Sequence, residues 1–157
     1  MTQSCSGCFH KDTSHDYQWQ LLLIQGNEYF QNQQWQQAEQ QYSEAFDLLA
    51  AQFDAQLGNG DIMMAWICTC HNLSSLYEAW GRQDDALRFL LAPHEHLRQL
   101  IETLDSSEQI RLTLMRGISI TIPAIQAFAT KYPICEGCIA LYPSLKTIVE
   151  QTKHVIH

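Results

Sequence analysis

Basic residues are scarce in this chain: 9 Lys and Arg stand against 17 Asp and Glu in 157 residues, a formal net charge of -8 with a pI near 5.2. Such a surface repels a nucleic-acid backbone or an anionic membrane on average, so neither is expected as a partner, whereas a basic or neutral polypeptide suits it. No apolar run approaches the roughly 18 residues of a membrane span. The first residues, among them Thr2, Gln3, Ser4 and Cys5, offer neither the basic start nor the apolar core of a signal peptide. The expected location is therefore a reducing, bacterial-type cytoplasm. Catalytic signatures are missing too. There is no Gly-rich phosphate loop, no His-Glu-x-x-His and no nucleophile elbow, so an enzyme is not expected.

What is present is enough apolar material, 46% of residues, to bury the core of one domain. Gln is conspicuous at Gln31, Gln33, Gln34, Gln36, Gln37, Gln40 and Gln41. Because apolar residues recur among these at helical intervals, the stretch reads as the solvated face of a helix and not as low complexity.

The most informative segment runs from Gly26 to Leu49. Gly26, Tyr29 and Phe30 precede a polar turn at Asn32-Gln33-Gln34, and Ala38, Tyr42, Ala45 and Leu48 follow it. Small and aromatic residues at helical spacing on both sides of a turn describe two antiparallel helices, interlocked where a small residue on one admits a ring from the other. Ser74, Tyr77, Ala86 and Leu90 repeat the positions of Gly26, Tyr29, Ala38 and Tyr42 at one constant offset of 48 residues.

In chain order, residues 1–15 form a Cys-containing arm without periodicity, and residues 16–157 divide into hairpins at about 16–57, 62–103 and 107–157. The first helix starts near Asp16 and the second near Trp35; Gly58-Asn59-Gly60-Asp61 combines a stop, a turn and a new cap. The third helix covers Ile62 to Trp80, with Gly81 placed to close it in a left-handed conformation. The fourth spans Asp84 to Thr103, where Pro93 is expected to kink or split it. Asp105-Ser106-Ser107-Glu108 resembles a capping box with Asp105 or Ser106 as cap. A fifth helix from Ser107 to Thr130 is expected to bend at Pro123. The segment Cys135-Glu-Gly-Cys138 reads as a turn before a last helix that begins near Pro143. Trp19, Trp35, Trp66, Trp80, Tyr29, Tyr42 and Tyr77 are read as core residues.

Six helices in three hairpins predict an all-α, short solenoid. Leu22, Gly26, Tyr29, Ala38, Tyr42 and Ala45, followed by Leu73, Ser74, Tyr77, Gly81 and Ala86, resemble the signature of the tetratricopeptide repeat (TPR), over roughly Asp16 to Thr103. The offset of 48 exceeds the usual 34, which makes the resemblance one to an extended variant. It implies a right-handed array that binds a peptide or helix on the concave face of the first, third and fifth helices. The face positions it implies are Gln20, Leu23, Asn27, Phe30 and Gln31, then Cys68, His71, Asn72, Ser75 and Glu78. In the subset that clamps a C-terminal carboxylate, Asn27 and Asn72 match the Asn positions and Arg116 matches one basic position, while Leu23 stands where a Lys is required. The alternative for both Asn is a backbone hydrogen bond. Size, acidity and hairpin number are also similar to those of the helical-repeat chaperones of bacterial secretion systems.

Two C-x2-C elements, Cys5-Ser-Gly-Cys8 and Cys135-Glu-Gly-Cys138, carry the sharpest chemistry. Four thiolates would form a closed structural zinc site joining the arm to the third hairpin; Cys5 and Cys8 with His154 and His157 are an alternative set. Unliganded thiols, a disulfide within one pair, or redox use of the pairs are the other readings. Cys68 and His71, three apart on one helix, are read as packed side chains. The expectation is thus a non-catalytic adaptor or chaperone-like module, with a thiol-based redox or metal sensor as the alternative.

Overall fold

The protein is described by a computed structural model over residues 17–155, which form seven α-helices and, among the described residues, no strand. They are α1 (Tyr17–Gln31), α2 (Trp35–Ala55), α3 (Gly60–Ala79), α4 (Gln83–Thr103), α5 (Glu108–Lys131), α6 (Glu136–Leu141) and α7 (Pro143–Val155). The expected arm and the start near Asp16 lie outside the described residues.

Local chemistry accounts for the starts of α3, α5 and α6. Asn59 caps α3, its side chain accepting from the backbone N–H groups of Asp61 and Ile62 at 3.1 and 3.2 Å, and Asp61 places a carboxylate in the first turn, where the helix dipole favours it. At α5 the cap is Ser107, which accepts from Ile110 N–H at 3.3 Å. This corrects the expected capping box. The residue three beyond Ser107 is Ile110, so no carboxylate can reach back. Neither proline splits its helix: α4 and α5 run through Pro93 and Pro123. The segment at Cys135 is also not a plain turn, because Cys135 caps the short helix α6.

The helices pack in sequence, α1 on α2, α2 on α3, α3 on α4 and α4 on α5, with α5 also against α3 and α7. In the first pair α1 comes so close that a Cβ on Gly26 would lie 2.5 Å from Tyr42 Cε1. The Tyr42 hydroxyl donates to Asn27 Oδ1 at 2.6 Å. In the second pair Ser74 takes the place of Gly26, and its hydroxyl donates to the Ala86 carbonyl at 2.8 Å. The turns repeat as well. Gln33 and Gly81 both have positive φ, 57° and 80°. Gln34 N–H bonds to the Tyr29 carbonyl at 2.9 Å, and Arg82 N–H to the Tyr77 carbonyl at 2.7 Å. Counted on by the same 48 residues, the next turn would fall at Ala129, which lies inside α5. The third unit therefore does not continue the period.

α3 is the spine of the bundle, with buried side chains from Ile62 to Tyr77 covered by α2, α4 and α5. Phe53 of α2 stacks on Trp66 at 5.2 Å between ring centroids, and His96 of α4 meets both rings edge-on. Full burial of a side chain such as Phe53 or Leu49 contributes about 1.5–3 kcal/mol. Trp19, Trp66, Tyr42 and Tyr77 are buried, and Tyr29, Trp35 and Trp80 pack partly buried against the core. Of the seven glutamines between Gln31 and Gln41, six face solvent and Gln41 is half-buried. By length and composition α5 is apolar enough to cross a membrane, a feature the run-length reading did not register, although it is packed here against α3, α4 and α7. Its exposed large apolar residues are Leu112 and Met115.

Candidate functional site

Between α3 and α5 runs a groove of about 340 Å³. His71, Ser74, Ser75 and Glu78 line it from α3, at the three-and-four spacing that keeps residues on one helix face. Ala124, Ala127, Phe128 and Lys131 face them from α5, and Leu90 of α4 adds apolar surface. One end is charged. Lys131 Nζ pairs with Glu78 Oε1, which also accepts the Tyr132 hydroxyl at 2.9 Å. Hydrogen bonding to Glu78 holds the Lys131 ammonium above its usual range.

His71 is half-buried, and its Nε2 is shielded from solvent with no hydrogen-bond partner among the described residues. Desolvation lowers its pKa to about 4, so the ring is neutral at pH 7. A second cleft, of about 420 Å³, lies where α4, α5 and α7 meet, with His94, Arg98, Ile122 and Ser144 in its lining. His94 Nδ1 and the Thr121 hydroxyl are hydrogen-bonded at 2.9 Å, and the same hydroxyl lies 3.1 Å from the Ile118 carbonyl. Burial lowers the pKa of His94 also.

Of the residues expected on the concave face, His71, Ser75 and Glu78 come together in the α3–α5 groove. Asn72 is half-buried on α3, and Arg116 is exposed on α5. Those on α1 do not line the groove. Gln20 is half-buried and Gln31 exposed. Leu23 was expected to be exposed and is 6% exposed, because it belongs with Trp19 and Leu22 to the stripe of α1 that packs into the core. Asn27 accepts the Tyr42 hydroxyl at its side-chain carbonyl oxygen. Phe30 is half-buried and packs edge-on against Trp35 at 5.6 Å. Cys68 is buried, in line with a packed side chain.

Sequence reasoning missed the groove residues Ser74, Leu90, Ala124, Ala127, Phe128 and Lys131. Ser74 and Leu90 are read in the sequence only as repeat positions, and both are mostly covered. Those on α5 had no signal, since α5 has no copy from which a face could be aligned.

Cys135 and Cys138 lie at the start of α6, with Cys135 exposed. Their sulfurs are 3.2 Å apart, and the Cys138 backbone N–H points at Cys135 Sγ at 3.4 Å. That N–H and then the Cys138 thiol lower the pKa of Cys135; the neighbouring Cys135 sulfur, burial and the Asp84 carboxylate raise that of Cys138. Among the described residues no three His, Cys, Asp or Glu side chains are gathered as a metal would require. Cys5, Cys8 and His157 lie outside the described residues, as does the side chain of His154.

These features define an all-α protein of sequentially packed helices with an open groove and an exposed dithiol. The chain belongs to the family described as protein of unknown function (DUF2753), whose model matches residues 17–156. No curated protein and no solved structure matches it.

Proposed function

We propose that the chain is a non-catalytic protein-interaction module of adaptor or chaperone type, acting in a cytoplasm. Its hairpins α1–α2, α3–α4 and α5 with α7 then form a short right-handed solenoid resembling an extended tetratricopeptide repeat. The observation that supports this reading most is the α3–α5 groove. Ser74, Ser75, Ala124 and Ala127 are small, so the groove is open to a larger side chain from outside, and Leu90 and Phe128 give that side chain apolar contact.

The occupant is a basic or neutral amphipathic helix or extended segment of another protein. Charge complementarity with a chain of net charge -8 favours it, and so does Glu78, which a partner's ammonium group can take over from Lys131.

The test is fluorescence anisotropy with labelled amphipathic peptides that are basic, neutral or acidic and otherwise matched. The basic peptides bind most tightly, and groove-filling Ala127→Trp or Ser75→Trp weakens them roughly ten-fold or more, as loss of a central anchor does. Asn27→Ala and Phe30→Ala, on α1, leave binding through this groove unchanged. The reading is wrong if all three peptide classes bind equally or the groove-filling variants bind like the parent.

A further inference from the structure

The exposed dithiol is not used by the groove, and the sulfur placement gives it a chemistry of its own. A disulfide bond is about 2.05 Å long, so closure from 3.2 Å requires the sulfurs to approach by only about 1 Å. Cys135 is exposed, and no residue of α6 is buried, so a reagent reaches the sulfur without opening the core. Cys68 and Cys70 supply the contrast within the same chain. Both are buried on α3, and burial pushes the Cys70 thiol up.

We propose that Cys135 and Cys138 are a reversible dithiol–disulfide pair, in which Cys135 attacks a small-molecule disulfide of the glutathione type and Cys138 resolves the adduct. In the first step the Cys135 thiolate attacks one sulfur of R–S–S–R. That S–S bond breaks, R–S⁻ leaves and takes a proton from water, and Cys135 is left as a mixed disulfide. In the second step Cys138 gives its proton to water and its thiolate attacks Cys135 Sγ. The Cys135–Cys138 bond forms as the mixed disulfide breaks and the second R–S⁻ leaves. Two protein thiols are oxidised and one R–S–S–R is reduced to two R–SH.

The direction of attack follows from the surroundings. The backbone N–H of Cys138 lies 3.4 Å from Cys135 Sγ and stabilises negative charge there, whereas on Cys138 the neighbouring Cys135 sulfur and burial oppose it, with the Asp84 carboxylate adding least. This assignment does not depend on the binding role of the α3–α5 groove.

The experiment uses the full chain carrying Cys5→Ser and Cys8→Ser, so that the N-terminal thiols do not contribute, equilibrated with mixtures of reduced and oxidised glutathione and mapped by mass spectrometry. The expected product is one disulfide, Cys135 to Cys138, which glutathione returns to the dithiol. Adding Cys138→Ser should trap one glutathione on Cys135. Adding Cys135→Ser should slow adduct formation roughly ten-fold or more, the adduct then forming on Cys138. Groove binding of the peptides described above is measured separately and bears on the other reading alone. Absence of the Cys135–Cys138 disulfide at every glutathione ratio, equal reactivity of the two single-thiol variants, or a metal co-purifying with the chain and blocking both thiols each overturns the assignment.

Discussion

Gln33 and Gly81 stand 48 residues apart and hold the same left-handed backbone conformation, φ 57° and 80°, at the closing turn of α1 and of α3. Only glycine adopts it without steric penalty. A Cβ on Gly81 would meet nothing within 4 Å, so the effect of Gly81→Ala is purely conformational. Urea unfolding should show Gly81→Ala destabilised by about 1–2 kcal/mol and Gln33→Gly stabilised by up to about 1 kcal/mol. Two changes of the same sign would mean that the turns are not equivalent.

Gly26 and Gly117 are both in close contact, yet they differ in what they touch. A Cβ on Gly26 meets the Tyr42 ring at 2.5 Å, a rigid plane whose hydroxyl is tied to Asn27. A Cβ on Gly117 meets Leu97 Cδ1 at 2.7 Å and Met63 Sδ at 2.9 Å, groups near the ends of flexible side chains. Gly26→Ala should lose about 2–3 kcal/mol and Gly117→Ala about 1 kcal/mol, the range known for overpacked cores. Thermal unfolding of the two variants side by side checks the order.

The hydrogen bond from Tyr42 to Asn27 is partly buried and joins α1 to α2. Tyr42→Phe leaves the Asn27 oxygen without that donor, and about 1 kcal/mol should be lost. In a double-mutant cycle with Asn27→Ala the coupling should be about 0.5–1.5 kcal/mol. Additive losses would show that the bond is not made in solution.

Acid should weaken the fold through His71. Its pKa is about 4 in the folded chain and about 6.5 unfolded, so above pH 6.5 both states are neutral and the ring adds no pH dependence. As pH falls from 6.5 towards 4 the unfolded chain takes up a proton that the folded chain refuses, and stability drops by at most about 3 kcal/mol. His94, lowered by burial, acts in the same direction. Denaturant unfolding between pH 7 and pH 4 should fall less steeply in His71→Gln than in the parent; parallel curves would exclude this role.

The first two hairpins were legible because packing and turn chemistry both leave marks in the sequence. Gly26, Ala38, Ser74 and Ala86 are small for a reason that a constant offset reveals, and Gly81 announces its own turn. Gln33 has the same backbone conformation without announcing it, since nothing about glutamine signals positive φ. The groove was half legible. Helical spacing put His71, Ser75 and Glu78 on one face of α3, but the facing residues sit on α5, where no repeat exists and tertiary contact alone chooses the side. Leu23 went astray because a borrowed alignment was set against the residue's own preference for burial. The helix at Cys135 escaped notice because it is six residues long, too short for periodicity to register.

The contrast between α3 and α6 has a consequence for how the molecule breathes. α3 is sealed along most of its length, so its amide protons should exchange only when the whole chain unfolds, whereas α6 has no buried residue to hold it shut. Opening there leaves the spine untouched. The exposed thiol of Cys135 thus sits where the chain can loosen for an instant and close again, and the buried Cys68 and Cys70 sit where it cannot.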